Sequence, residues 1–362
     1  MFKSVANLVK NLIWIFVGYR QPPCIGIDIS STSIKIVELV PNSLVINKYT
    51  ITLNEDNLLL DGSLDDINNI ADLIHDELVK LSPNTLSLAL AIPFSSVIVR
   101  EISAPIGKSR QALDEFVCLR LSEDLADEEI IFDYTLSNQE DEWQSLKAVV
   151  AKKDKIEEYQ IIAQLAGMQL AAVEVEPFAI IYLFEQFLLK KINSNLPVLL
   201  LELTATHLRG YIFLNHKNLI FNEISVNYYS LFNKIFQCYA KSEANYTQAK
   251  LINYIAKILD KEKIQPKELL DTLINDVVKM LQMLKVGMLV ENRQNLASQM
   301  PIYLIGGNAL IPGLKERISY SLQSDVFYAS ELLKDSNPHI PLADLLRLFP
   351  AIALASWGQQ ID

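Results

Sequence analysis

The chain has 362 residues, half of them hydrophobic, and its 32 Lys and Arg against 43 Asp and Glu give a formal net charge of −11. That length accommodates roughly two domains of about 150 residues each, with enough apolar material for two cores. The acidic balance argues against a nucleic-acid surface, which needs a basic stripe to displace counterions from phosphate.

Three cysteines (Cys24, Cys118, Cys238) and four histidines (His75, His207, His216, His339) are widely scattered. They build neither a disulfide framework nor a zinc spacing, and they fit a reducing compartment. No segment has the ~20 consecutive apolar residues that a membrane span needs. Residues 1–23 form an amphipathic segment that reads as a helix ending near Gly18: Val5, Val9, Leu12, Ile13 and Phe16 share one face, and Pro22-Pro23 acts as a stop. The stretch has no small-residue cleavage site, which argues against a signal peptide. Two readings stay open, a helix lying in a membrane interface and a helix packed on the protein itself or on a partner.

The first core elements are strands at Ile25 to Ile29 and Ile34 to Val40, a Pro41-Asn42-Ser43 turn and a third strand at Leu44 to Leu53. Ile70, Leu73, Ile74, Leu78 and Leu81 recur at helical spacing and predict a helix over Ile67 to Leu81. Leu86 to Ile92 reads as a buried strand. A different element order follows: a strand at Val97 to Ala104, a helix at Gln111 to Leu125, strands at Glu129 to Ser137 and Leu146 to Ala151 around an acidic loop at Gln139 to Glu142, and a helix at Asp154 to Ala166. This is a compact α/β insert. Leu170 to Val175 resumes the first lobe as a strand, and Glu176-Pro177 opens a helix toward Leu189.

The second lobe repeats the start of the first. Val198 to Leu203, Leu208 to Leu214 and Leu219 to Val226 read as three strands, with Asn215 to Asn218 as a turn. A helical region covers Tyr229 to Leu296, Pro301 to Ile305 is a strand, and Ala343 to Trp357 is a closing helix that Pro350 is expected to kink or break. The expected division is therefore an N-terminal segment 1–23, a first lobe 24–195 carrying the insert 96–169, a second lobe 196–342, and a closing helix 343–362 returning to the first lobe.

Three short segments carry chemistry. Asp28 ends a strand directly before Ser30-Ser31-Thr32-Ser33, with Lys35 beyond the turn. A carboxylate there can hold magnesium through water, the backbone amides of Ser30 to Ser33 can cradle phosphate oxygens, and Lys35 adds positive charge. Glu202-Leu203-Thr204-Ala205-Thr206 repeats the layout, and Gly306-Gly307-Asn308 lets backbone approach a ligand closely. Two hydroxyl turns and a distal Gly-Gly outline an inter-lobe cleft able to clamp a nucleotide. Taken alone, either turn also reads as an ordinary polar hairpin.

The arrangement resembles the actin-like ATPase superfamily of actin, sugar kinases, heat-shock chaperones and the cell-division protein FtsA. Within it, the closer resemblance is to the PilM family, the cytoplasmic actin-like proteins of type IV pilus assembly. It is carried by Gly26-Ile27-Asp28-Ile29-Ser30-Ser31-Thr32-Ser33-Ile34-Lys35, by Val173-Glu174-Val175-Glu176-Pro177-Phe178-Ala179, by Ile305-Gly306-Gly307-Asn308-Ala309-Leu310-Ile311-Pro312-Gly313-Leu314 and by Pro350-Ala351-Ile352-Ala353-Leu354-Ala355. The resemblance implies a two-lobed, duplicated actin-like (ribonuclease H-like) α/β fold with an inserted α/β subdomain. It implies ATP and Mg²⁺ as cofactors. Phosphate and adenosine contacts fall at Asp28, Ser30, Ser31, Thr32, Ser33, Lys35, Glu202, Thr204, Ala205, Thr206, Gly306, Gly307 and Asn308, and metal contacts at Asp28 and Glu202. Asp28, Glu176 and Glu202 are the candidate catalytic residues.

Two departures weaken nucleotide chemistry. The family's second phosphate motif reads Asp-Ile-Gly-Ala, whereas this chain has Glu202-Leu203-Thr204-Ala205. The family's Glu-Ala-Glu-x-x-Lys beside the base is here Gln248-Ala249-Lys250-Leu251-Ile252-Asn253. Nucleotide binding is therefore expected to be weak or lost, and hydrolysis weaker still. The function implied is a scaffold peripheral to the cytoplasmic face of the inner membrane. It binds the cytoplasmic tail of a PilN-like membrane protein between the first lobe and the insert, communicates with the pilus motors and leaves room for self-association. Val97-Ile98-Val99 and Phe116, Val117 and Leu119 are the expected groove residues. The alternatives are an FtsA-like division scaffold and a small-molecule kinase, which would need a general base.

Overall fold

The computed structural model of the chain describes residues 24–53, 59–60, 63–64, 66–122, 129–140, 142–192, 196–215, 217–239, 266–290, 300–357 and 359. The predicted N-terminal helix and the Gln248 to Asn253 stretch lie outside these residues.

The first lobe begins with β1 (Ile25–Ile29), β2 (Ser33–Leu39) and β3 (Ile46–Leu53), followed by the two-strand ribbon β4 (Leu59–Leu60) and β5 (Ser63–Leu64), helix α1 (Ile67–Leu81) and β6 (Ser87–Ile92). The insert supplies β7 (Val97–Pro105), α2 (Arg110–Ser122), β8 (Ile130–Glu140) and β9 (Trp143–Lys152). Helix α3 (Lys153–Leu165), β10 (Gln169–Val175) and α4 (Glu176–Leu183) return to the first lobe, and α4 runs on through tighter and looser turns to Lys191. The second lobe holds β11 (Val198–Leu203), β12 (His207–Leu214), β13 (Lys217–Ser225), α5 (Tyr229–Tyr239), α6 (Lys267–Val290), β14 (Ile302–Ile305), α7 (Leu314–Leu322), β15 (Val326–Tyr328) and the single turn α8 (Glu331–Lys334). Helix α9 (Leu342–Ser356) closes the chain.

Duplication is explicit in the sheets. The first has the order β10-β6-β1-β2-β3 and the second β13-β12-β11-β14-β15. In each, three antiparallel strands continue into two parallel ones. The central strands are buried on both faces, which accounts for their unbroken apolar runs in place of alternation. This is the expected two-lobed actin-like fold, with the repeated units in separate sheets.

Local chemistry sets the elements that frame the cleft. Helix α1 starts where the Asp66 carboxylate accepts from the Asn69 N–H at 3.1 Å, and it ends at a left-handed Ser82. Its stripe Ile70, Ile74 and Leu78 enters the first-lobe core. Helix α3 falls inside the span read as the insert, yet Ile156, Tyr159, Ile162 and Ala163 join that same core beside Ile25 and Ile70. The insert has its own sheet, β7-β9-β8, and its own core of Ile102, Leu113, Val117, Leu121, Tyr134 and Leu146. Gln139 and Glu140, read as part of an acidic loop, belong to strand: β8 runs to Glu140, whose register partner is Trp143 at the start of β9.

Helix α9 is the keystone of the interlobe core. It is continuous through Pro350, with Leu345, Leu346, Leu348, Phe349 and Ala351 to Ser356 buried. Packing of that many side chains offsets the ~3 kcal/mol a mid-helix proline costs. The core it joins mixes Val37, Phe184, Tyr211, Phe213 and Tyr303 from both lobes. The contact with β1 is so close that a Cβ on Gly26 would lie 2.0 Å from the Ala351 carbonyl oxygen. Among the described residues no helix is long and apolar enough to cross a membrane.

Candidate functional site

The first hydroxyl turn closes on itself. The Ser30 N–H donates to the Ser33 carbonyl at 3.0 Å, and the Ser30 hydroxyl donates to the same oxygen at 2.8 Å while accepting from the Ser33 N–H at 3.2 Å. Ser31 and Thr32 form the tip. One step down the ladder, Asp28 and Lys35 are register partners. Lys35 Nζ donates to Asp28 Oδ2 at 2.5 Å and to Ser30 Oγ at 3.1 Å, and both charged side chains are about nine-tenths buried.

The second turn reproduces this bond for bond. The Thr204 N–H donates to the His207 carbonyl at 3.1 Å, and the Thr204 hydroxyl donates to that oxygen and accepts from the His207 N–H, each at 3.0 Å. Thr204, where the family carries glycine, thus occupies the place of Ser30. Ala205 and Thr206 form the tip. Glu202 and Arg209 are register partners, as Asp28 and Lys35 are.

Arg209 then does more than Lys35. Its Nη1 donates to Glu202 Oε2 at 3.3 Å and its Nη2 to Glu176 Oε2 at 2.5 Å, while its Nε donates to Glu223. Glu176 opens α4 in the first lobe and Glu223 lies on β13 of the second, so one guanidinium, 3 % exposed, ties both lobes together. Tyr211 adds a hydroxyl hydrogen bond to Glu202 at 2.8 Å, and His207 Nε2 lies 3.7 Å from its other oxygen. Burial alone would push the Glu202 carboxyl up. Arg209, His207 and Tyr211 outweigh it and hold the group at about 2.

The Gly-Gly segment packs directly on this turn. Ile305 ends β14 opposite Glu202. Gly306 has φ of 90°, and a Cβ there would lie 2.4 Å from the Leu203 carbonyl oxygen, so only glycine fits. Gly307 has open space on its Cβ side. Asn308 is buried and donates from Nδ2 to the Thr204 carbonyl at 2.6 Å. Across the cleft, the Tyr229 hydroxyl at the start of α5 reaches Ser31 Oγ at 3.4 Å.

The structure therefore places Asp28, Ser30, Ser31, Thr32, Ser33 and Lys35 in the first lobe and Glu202, Thr204, Ala205, Thr206, Gly306, Gly307 and Asn308 in the second, with Glu176 of the first lobe bonded across to Arg209. Asp28 and Glu202 are each bonded to the cation of their own hairpin. Among the described residues no group of three or more His, Cys, Asp or Glu side chains is arranged to hold a metal ion. Arg209, Tyr211, His207 and Glu223 are absent from the residues read as the site. The signal for Arg209 was available: it stands seven residues after Glu202, as Lys35 stands seven after Asp28.

A second feature lies where the insert meets the first lobe. Val97, Ile131 and Val149 reach the first-lobe core, and Lys147 Nζ sits 5.2 Å from the Phe178 ring. Phe94 packs edge-on against Phe178 and Phe221. Burial pushes the Glu174 carboxyl up to about 7; the hydrogen bond from the Val175 N–H opposes this, and the nearby Asp133 carboxylate adds to it. Burial also raises Asp133. Of the expected groove residues, Val117 is wholly within the insert's own core, whereas Ile98 and Leu119 are exposed, as are Leu136 and Trp143.

A family model described as "Type IV pilus assembly protein PilM" matches residues 26–338. Among solved structures, the PilM–PilN type IV pilus biogenesis complex aligns with a TM-score of 0.72 at 17 % identity, covering 93 % of this chain and 99 % of that one. The ethanolamine utilization protein EutJ from Carboxydothermus hydrogenoformans aligns with a TM-score of 0.51 at 14 % identity, covering 97 % and 96 %. At these identities the likeness is one of fold.

Proposed function

The chain belongs to the type IV pilus assembly protein PilM family, and we propose that it is a scaffold of the pilus inner-membrane platform that binds the cytoplasmic tail of a PilN-like membrane protein. The proposed docking groove runs between the first lobe and the insert, along the side of Lys147, Phe178 and Glu174. A disordered tail must bury side chains to offset its ordering entropy, and partly buried apolar and charged groups meet there. Held by that tail, the protein would sit on the cytoplasmic face of the inner membrane and couple it to the pilus motors.

The observation that carries the scaffold reading over an enzyme is the state of the cleft carboxylates. Asp28 is bonded to Lys35 at 2.5 Å, and Glu202 to Arg209 and Tyr211. A tightly held Mg²⁺ would need those oxygens, and the residues present do not fit it. They also do not fit a kinase, because Asp28, Glu176 and Glu202 are all ion-paired and none is placed as a general base. Among the described residues ATP is offered the two turn tips and the open side of Gly307, while the carboxylates are held by their own cations, so weak binding and low turnover are proposed. The test is a pull-down of the full chain with the cytoplasmic tails of inner-membrane pilus proteins. Selective capture by the PilN-like tail supports the reading, and no capture by any of them sinks it.

A further inference from the structure

We propose that Arg209 is a built-in counter-ion that holds the two lobes closed without nucleotide or metal. This goes beyond the scaffold reading and does not depend on which tail binds. In a cleft worked by nucleotide, closure comes from phosphates and metal contacting both walls. Here a charged cross-lobe contact is supplied by β12 itself. Its guanidinium reaches Glu176 at the start of α4 in the first lobe and Glu202 and Glu223 in the second.

Three features favour this role over an incidental ion pair. The guanidinium is buried, so its charge would be costly without all of its partners. Its planar fork engages three carboxylates, a geometry lysine does not reproduce. The matching cation of the first hairpin, Lys35, stays within its own lobe on Asp28 and Ser30, so of the two hairpin cations Arg209 is the one whose ion pairs cross between the lobes. Electrostatics point the same way. Three carboxylates around one guanidinium leave a surplus of negative charge, and that surplus opposes an incoming triphosphate.

Hydrogen–deuterium exchange of the full chain tests this. The variants are Glu176→Gln, which is isosteric and removes the first-lobe arm, and Glu223→Gln, which removes an arm inside the second lobe. Glu176→Gln should speed exchange about tenfold across the Ser30–Ser33 turn and the start of α4, whereas Glu223→Gln should leave those segments near wild type. Millimolar ATP with Mg²⁺ should leave wild-type exchange in both turns unchanged. Two results would overturn the proposal: wild-type exchange in the first-lobe segments of Glu176→Gln, or strong protection of the wild-type cleft by ATP and Mg²⁺. A loss of tail binding without either result would count against the scaffold reading and leave the counter-ion in place.

Discussion

Glu174 lies on β10 where the first lobe faces the insert, and its carboxyl is raised from an ordinary 4.5 to about 7. Burial is the main cause. The Asp133 carboxylate adds to it, and the single N–H of Val175 at 2.9 Å compensates only in part. A carboxyl with a raised folded value binds its proton more tightly in the folded state. The folded state is therefore favoured at low pH and loses stability as pH climbs from about 4.5 to about 7. At about 1.4 kcal/mol per pKa unit the full effect is roughly 3 kcal/mol above neutral pH, and water penetration lowers it toward about 1. Glu174→Gln removes the ionisation and keeps the shape. Urea unfolding of wild type and variant at about pH 5 and about pH 8 isolates this group, since other titrations cancel in the difference. The variant should exceed wild type by less than about 1 kcal/mol near pH 5 and by about 1–3 kcal/mol near pH 8. A difference that does not change with pH, or a variant weaker than wild type at pH 8, would refute the assignment of a desolvated carboxyl to this junction.

Three further outcomes follow from the geometry. Gly26→Ala puts a Cβ 2.0 Å from the Ala351 oxygen and 2.4 Å from the Ala355 nitrogen, so it should cost about 3 kcal/mol or more in chemical denaturation, since neither backbone atom can swing aside. Gly306→Ala combines a positive φ with a 2.4 Å approach to the Leu203 oxygen and should also destabilise the chain; a wild-type unfolding midpoint would contradict the packing of the Gly-Gly segment on the second turn. Purified protein should turn over ATP well below the ~1 s⁻¹ low end typical of enzymes. Turnover at that rate with loss on Asp28→Ala would overturn the reading of an occupied cleft.

What was legible in the sequence was what repeats or alternates locally. The buried run Ile25 to Ile29, the stripe of α1 and the hydroxyl turns at Ser30 and Thr204 gave the duplicated lobes, because each is set by neighbours in the chain. What was missed depends on partners far away. The polar end of β8 looks like a loop by composition, but pairing of Glu140 with Trp143 extends it as strand. Pro350 looks like a breaker, but burial of α9 against both lobes carries the helix through it. Helix α3 reads as part of the insert by order, while its apolar face belongs to the core beneath β1. Glu202 looks like a metal ligand, and Glu176 like a catalytic carboxylate. Only the cross-strand register of β11 with β12, and the seating of α4 against the second lobe, show that Arg209 already holds both.

The most direct test of the scaffold account is calorimetric titration of the full chain with a peptide of the PilN-like cytoplasmic tail, with and without ATP and Mg²⁺. The account predicts saturable binding whose Kd differs by less than about twofold between the two conditions. An absence of binding, or binding seen only with ATP and Mg²⁺, would contradict it.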